Sequence, residues 1–256
     1  MIAIISDVHS NLEALLAVLA EVRDAEAVYC AGDVVGYGPN PNECCELIRR
    51  RGVKCVMGNH DFVCANLDRL DGSDVSFPAE DCDLCREMLK QKNSAARAAS
   101  LWTSSVLTTE NREFLRSLPL SISENRMTIV HGKPGSKTEM LNEYILPGYG
   151  TQQMAGLPDG GILVLGHSHI PMRTTHVLNP GSVGQPRDRN WLASFATFKD
   201  VCYRFTYIKE EDMSFRFVSQ AVNMRRVPYD IKTTIRKIKE EPGLPGTLGD
   251  RLTVGL

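Results

Sequence analysis

"IAIISDVHSNLEALLAVLAEV", residues 2–22, sets an apolar run, a polar turn and an amphipathic run in immediate succession. The opening "IAII" (2–5) predicts a buried strand, and the apolar spacing of "NLEALLAVLAEV" (11–22) predicts a helix. The unit then repeats. "AVYC" (27–30) predicts a second strand, "PNECCELIRRR" (41–51) a second helix with Pro41 in its first turn, and "VKCVM" (53–57) a third strand. Alternation of this kind predicts βαβ units around a parallel sheet.

Beyond residue 67 the rhythm changes. Residues 68–81, "DRLDGSDVSFPAED", hold five acidic residues, a proline and a glycine, and predict a loop or lid. Residues 82–118 predict helices, one of them capped by Thr108 or Thr109. From 120 onward the short runs "RMTIVHG", "GILVLGHSH", "PMRTTHVLNPGS", "LASFATFKD", "VCYRFTYIKE" and "MSFRFVSQAV" predict strands, read as an antiparallel meander that completes one sheet and builds a second. A helix is expected over 229–241, followed by the Pro/Gly-rich end "PGLPGTLGDRL". The expected organisation is one α/β domain over 1–256, with a helical insert at about 68–118 and a C-terminal helix at about 229–241.

The 256 residues are 43% hydrophobic and 23% charged, ordinary for a globular protein. A formal net charge of −2 offers no field toward nucleic acid or an anionic membrane. The basic clusters at 49–52, 224–226 and 236–241 read as solvated faces. "MIAIIS" has no charged leader, and no run approaches the roughly 20 apolar residues of a spanning helix. A cytoplasmic protein with reduced thiols is therefore expected. Of the eight cysteines only Cys82 and Cys85 form a CxxC, with no second pair to complete a four-thiolate zinc site. A redox or metal clip there stays open beside ordinary thiols at the start of a helix.

The residues just past each strand carry the chemistry. Asp7, Asp33 and Asn59 fall 26 residues apart, each at the end of a predicted strand. That register sets all three at the carboxyl ends of neighbouring parallel strands, where open α/β sheets bind ligands. His131 ends "TIVHG", while His167 and His169 end "ILVLGHSH". With His9 and His60, five of the six histidines lie just past apolar strands; His176, in "RTTHVL", reads as a strand residue. Any of these residues alone could be a helix cap or a core histidine, but coincidence at five strand ends is not credible. Two aspartates, an asparagine and four histidines suit Mn, Fe, Zn, Co or Ni better than calcium, with manganese favoured. Seven ligands exceed one tetrahedral ion and suit two divalent transition metal ions sharing a carboxylate. Such a pair, about 3.5–4 Å apart, generates hydroxide and clamps an in-line phosphoryl displacement.

"DVH…GD…GNHD…VHG…GHSH" resembles the calcineurin-like metallophosphoesterase superfamily, with the signature blocks in order from residue 1 to about 185. "GDVVGYGPNPNECCELI", "NPGSVGQPRD" and "RRVPYDIKTTIRKI" resemble its small prokaryotic phosphodiesterase-type subgroup. The resemblance implies a four-layer α/β/β/α sandwich of two mixed sheets flanked by helices. It implies Asp7, His9 and His169 on one metal, Asn59, His131 and His167 on the other, and Asp33 as the bridge. His60 would contact the scissile phosphate and protonate the leaving group. Asp61 would either orient and raise the basicity of that imidazole or cap a helix. Asn11 is expected to donate to phosphate or to cap the first helix, and Arg187 to clamp a phosphate oxygen or to pair with Asp188. Gly58 is expected to let the chain bend sharply. The family's protein phosphatases carry an arginine after the bridging aspartate, where "GDVVGYGP" offers Tyr37. That departure turns the expectation from phosphoproteins toward a small phosphate-ester substrate.

The implied activity is dimetal-dependent hydrolysis of phosphodiester or small phosphate ester bonds by a metal-activated hydroxide. A non-catalytic metal-binding interaction scaffold, or a nucleotide or dinucleoside polyphosphate hydrolase, stands as the alternative. No nucleic acid or membrane partner is expected, and a homo-oligomer stays open.

Overall fold

Alternate side chains of the first strand face two different cores, and this organises the molecule. The computed structural model describes residues 1–70, 76–146, 161–198 and 222–256. In β1 (Ile2–Ile5) Ala3 and Ile5 pack toward helices, whereas Ile4 packs toward a second sheet. Successive side chains of a strand point to opposite faces, so a strand buried on both must be apolar throughout.

Sheet A runs β10–β9–β1–β2–β3, from β1, β2 (Ala27–Cys30), β3 (Lys54–Cys55), β9 (Ala193–Phe198) and β10 (Val222–Val227). β1, β2 and β3 pair in parallel, while β9 and β10 add antiparallel strands beyond β1. Sheet B runs β4–β5–β6–β8–β7, from β4 (Ser121–Glu124), β5 (Met127–Val130), β6 (Ile162–Val164), β7 (Met172–Arg173) and β8 (Val177–Asn179). Its centre, β5–β6–β8, is parallel, with antiparallel strands at both edges. The expected meander is thus replaced by a mixed sheet. Of the predicted runs, "VCYRFTYIKE" and all but the last residue of "MSFRFVSQAV" lie outside the described residues. The segment 224–226, read as a solvated face, is strand β10, with Arg225 paired to Glu21 and Arg226 to Asp188.

The two sheets meet through Ile4, Tyr29, Val56, Ile129, Val164 and Leu178. Burying one such aliphatic side chain stabilises by about 1.5–3 kcal/mol. Outside sheet A lie α1 (Leu12–Glu21) and α2 (Pro41–Arg50). Outside sheet B, Met140 of α7 (Lys137–Asn142) and Ile145 cover Leu163 and Val177. Two mixed sheets flanked by helices result, as the resemblance implied.

After β3 come α3 (Asn59–Asn66) and a 3-10 turn at Leu67–Arg69, then α4 (Ala79–Gln91), α5 (Ser94–Val106) and α6 (Thr109–Arg116). Thr108 caps α6, its hydroxyl accepting from the Asn111 amide at 3.2 Å. Cys82 and Cys85 lie one turn apart on α4 as free thiols packed against the helix-side core. The C-terminal helix is α8 (Ile231–Glu240). The Pro/Gly-rich end is not irregular: it forms α9 (Thr247–Val254), which packs through Leu248 and Leu252 on α5 and α8. No helix among the described residues is long and apolar enough to cross a membrane.

Candidate metal centre

The carboxyl ends of β1, β2 and β3 in one sheet meet those of β5 and β6 in the other, and the turns leaving them deliver the polar residues. Asp7, His9, Asp33, His167 and His169 all take positive φ, between 48° and 66°. Side chains rarely adopt that left-handed backbone, which stores about 1–3 kcal/mol each and concentrates at functional sites. Glycines permit the close approach of these turns. A Cβ on Gly58 would stand 2.1 Å from Asp33 Oδ1, and one on Gly36 2.5 Å from His60 Nδ1. Gly58 itself is extended (φ −97°, ψ 172°), so contact rather than a sharp bend requires glycine there.

Two groups of ligating atoms form, each within 4.8 Å: Asp7, His9, Asp33 and His169, and Asp33, His131 and His167. Asp33 belongs to both. Its Oδ2 lies 3.6 Å from His9 Nε2 and 3.3 Å from His131 Nε2, while Oδ1 accepts from the His60 amide at 2.8 Å. His9 and His169 approach Nε2 to Nε2 at 3.1 Å, and Asp7 Oδ1 stands 3.5 Å from His169 Nε2. The inward end of the Asn59 amide sits 3.0 Å from His131 Nε2, 3.0 Å from His167 Nδ1 and 3.2 Å from Asp33 Oδ2. An oxygen at that end meets only acceptors, and a cation is the partner that suits such a gathering.

The surroundings prepare the imidazoles for metal. His9 Nδ1 donates to the Val35 carbonyl at 3.1 Å, His131 Nδ1 to Ala31 at 2.7 Å and His169 Nδ1 to Gln185 at 2.5 Å. In the neutral ring each bond places the proton on the outer nitrogen and leaves the Nε2 lone pair facing inward. Asp7 Oδ2 is buried and meets no hydrogen-bond partner among the described residues. Burial lifts Asp7 to about 7, with Asp33 adding repulsion and His131 opposing. Burial opposes charge on His131 too, but the Asp33 carboxylate outweighs it and raises His131 to about 9. In the same balance burial pushes Asp33 up, and His131 and His60 bring it well below the usual carboxylate range. The donor set therefore fits divalent cations with borderline preference.

His60 lies on the cavity side of this cluster. Its Nε2 is 2.9 Å from Lys92 Nζ, and its ring stands 4.5 Å from that of Tyr37. Burial, followed by the Lys92 ammonium, pushes its pKa well below the ordinary histidine value. Asp61 is not its partner. Asp61 Oδ1 accepts from the Val35 amide and Oδ2 from the Gly58 amide, both at 3.0 Å. The carboxylate accepts from the N-cap amide of α3, the one half of a capping box that Gly58 allows, and neighbouring helical residues do not face each other, so no hydrogen bond to His60 forms. Of the two roles open to Asp61, capping is the one observed. Asn11 is likewise a structural residue. Its oxygen caps α1 at the Ala14 amide, and its amide donates to Gly184 and Tyr229. Arg187 turns away from Asp188, which pairs with Arg226, and donates instead to Tyr37 Oη at 3.2 Å. Tyr37 thus coexists with a guanidinium in the site. His176 lies just ahead of β8, outside both ligand groups.

A cavity of about 380 Å³ opens over Asp33, Asn59, His167 and His169. Its walls bring residues that sequence reasoning missed: Lys92 between α4 and α5, Tyr144 after α7, and Arg251 of α9. Tyr144 stacks on His167 with centroids 3.9 Å apart. None lies in a motif or past a strand, so nothing local marked them.

The calcineurin-like phosphoesterase superfamily domain matches residues 1–199. An uncharacterized protein of Methanocaldococcus jannaschii is 37% identical over 280 aligned residues, covering all of this chain and 98% of that one. Among solved structures, a metallophosphoesterase from Sphaerobacter thermophilus is 32% identical, with a TM-score of 0.69 and coverage of 100% and 98%. A hypothetical protein from Pyrococcus horikoshii, 23% identical, shares the fold with a TM-score of 0.73 and coverage of 100% and 99%.

Proposed function

Because the chain belongs to the calcineurin-like phosphoesterase superfamily, we propose that its 256 residues form one dimetal-dependent hydrolase of small phosphate esters, phosphodiesters included. The carrying observation is the shared Asp33 carboxylate, which stands in both ligand groups. Asp7, His9 and His169 would hold one ion, Asn59, His131 and His167 the other, and Asp33 would bridge, with manganese the favoured metal. When bound, the ions would supply the acidity that makes water nucleophilic at neutral pH and would neutralise charge on the phosphoryl oxygens.

The remaining work belongs to side chains. His60 faces the cavity as a non-ligand; burial keeps it neutral at rest, and it would take up a proton from Lys92 at Nε2 before passing one to the departing oxygen of the scissile phosphate. Lys92 Nζ, 2.9 Å from Nε2, holds a proton beside that nitrogen. Arg187 supplies a guanidinium for a phosphate oxygen. The cavity volume suits a small molecule, and cations gathered inside it rather than along a surface groove disfavour a long nucleic acid.

The test replaces His60 with alanine and assays a chromogenic diester with manganese. Turnover should fall about 10²–10⁴-fold while bound manganese, measured by elemental analysis, stays at the wild-type level. Unchanged turnover with metal retained would remove His60 from the chemistry.

A further inference from the structure

The metal centre accounts for the cavity floor; the wall is a separate problem. Lys92, Arg187 and Arg251 come from three distant parts of the chain and line the same cavity, each half-buried. Among the described residues no aspartate or glutamate pairs with any of the three. Lys92 meets His60, Arg187 meets Tyr37 and Gln185, and Arg251 Nε donates to the main-chain oxygen of Leu256, the last residue, whose carboxylate gives it an acidic partner. Elsewhere the arginines and lysines of this protein commonly find acids: Arg49 pairs with Glu110, Arg225 with Glu21, Lys237 with Glu13.

Gathering three cations in a partly dry space, two of them with no acidic partner among the described residues, is unfavourable unless an anion joins them. The scissile phosphate alone does not supply enough charge. Two divalent ions already outweigh Asp7 and Asp33, and a diester with uncharged arms brings a single negative charge. Lys92 and Arg187 would then stay uncompensated. Tyr37 keeps Arg187 at the wall: its hydroxyl accepts from Arg187, whose guanidinium carbon lies 5.9 Å from the ring centre.

We propose that Lys92, Arg187 and Arg251 form an anion-recognition wall that selects esters carrying a second phosphate beside the scissile one. The inference rests on the phosphoesterase reading for its catalytic meaning, but the wall can be measured by binding alone. It gives the helical insert and the C-terminal helix α9 a shared purpose, since each contributes a cation.

The test is titration calorimetry of manganese-loaded protein, in excess manganese, with inorganic phosphate and with methylenediphosphonate. Hydrolysis of bis(p-nitrophenyl) phosphate is followed in parallel. Wild type should bind the diphosphonate about tenfold or more tightly than phosphate, the scale of one charge-assisted hydrogen bond. R251Q, R187Q and K92Q should each shrink that ratio about fivefold or more, whereas K92R should restore it and R236Q, on an exposed arginine of α8, should not change it. Thermal unfolding of each variant checks that it folds. A diphosphonate preference that survives in R251Q, R187Q and K92Q would come from the metals alone and would overturn the wall, as would equal affinity for the two anions in wild type. If the ratio behaves as expected but the diester is not turned over, the hydrolase reading fails and the wall stands. If the diester is turned over and the ratio does not respond, the hydrolase reading stands and the wall fails.

Discussion

Two neighbours on α3, His60 and Asp61, show how far sequence adjacency can mislead. On a helix adjacent residues diverge by about 100°. His60 consequently turns into the cavity while Asp61 turns back to the Val35 and Gly58 amides. The carboxylate therefore acts on the turns that carry Asp33 and Asn59. Asp61→Ala would leave two buried N–H groups unsatisfied, and should lower the unfolding free energy by about 2–4 kcal/mol in urea titrations. It should also weaken metal affinity, with no displacement of the kcat–pH limbs. A displaced limb would return Asp61 to the imidazole. Gly36 is the second residue with a definite consequence. Its φ is +94°, and a methyl group would press on His60 Nδ1. Gly36→Ala should cut turnover tenfold or more at unchanged metal content, read by steady-state assay beside elemental analysis.

Elements place the residues that no motif marks. Lys92 is the C-cap of α4 and Asn93 the N-cap of α5, the Asn93 oxygen accepting from the Ala96 amide at 3.0 Å. Asn93→Ala should cost about 1 kcal/mol of stability by the loss of an N-cap, measured by chemical denaturation. α9 was hidden for an instructive reason. Pro245 and Gly246 stand before it and Gly255, at φ 63°, after it, so the prolines and glycines that masked the helix are its own start and stop. Leu252 is 4% exposed in the small core shared with Tyr37, Ala99 and Ile238. Leu252→Ala should therefore destabilise by about 2–5 kcal/mol, as a fall in the same denaturation midpoint.

At the scale of the whole molecule, the metal centre was legible because each ligand lies just past a buried strand, and parallel strands bring their ends to one edge. Asp7, Asp33 and Asn59 keep the βαβ pitch, and "HSH" comes directly after β6 and its short turn. The cavity wall was not legible, because Lys92, Tyr144 and Arg251 converge only when the insert, the segment after α7 and the last helix pack together. What the assembled centre does with protons can be predicted from the groups that metal would displace them from. Asp7 is raised to about 7 and His131 to about 9, whereas burial lowers His9 and His167 to about 3, so those two are already neutral near pH 6. In the metal-free protein a raised Asp7 means that the folded state holds the proton more tightly than the unfolded one. Its contribution to stability therefore declines as pH rises from about 4 to 7. The His131 contribution is complete below about 6.5 and is lost as pH climbs through 9. A divalent cation takes the place of both protons. Metal affinity should thus increase with pH, with two protons released per site pair below 7 and one between 7 and 9. Calorimetric titration with manganese at pH 6 and pH 8, in buffers of different ionisation enthalpy, counts those protons. A release that does not decrease between the two pH values would refute the assignment of Asp7 as the group that titrates near neutrality.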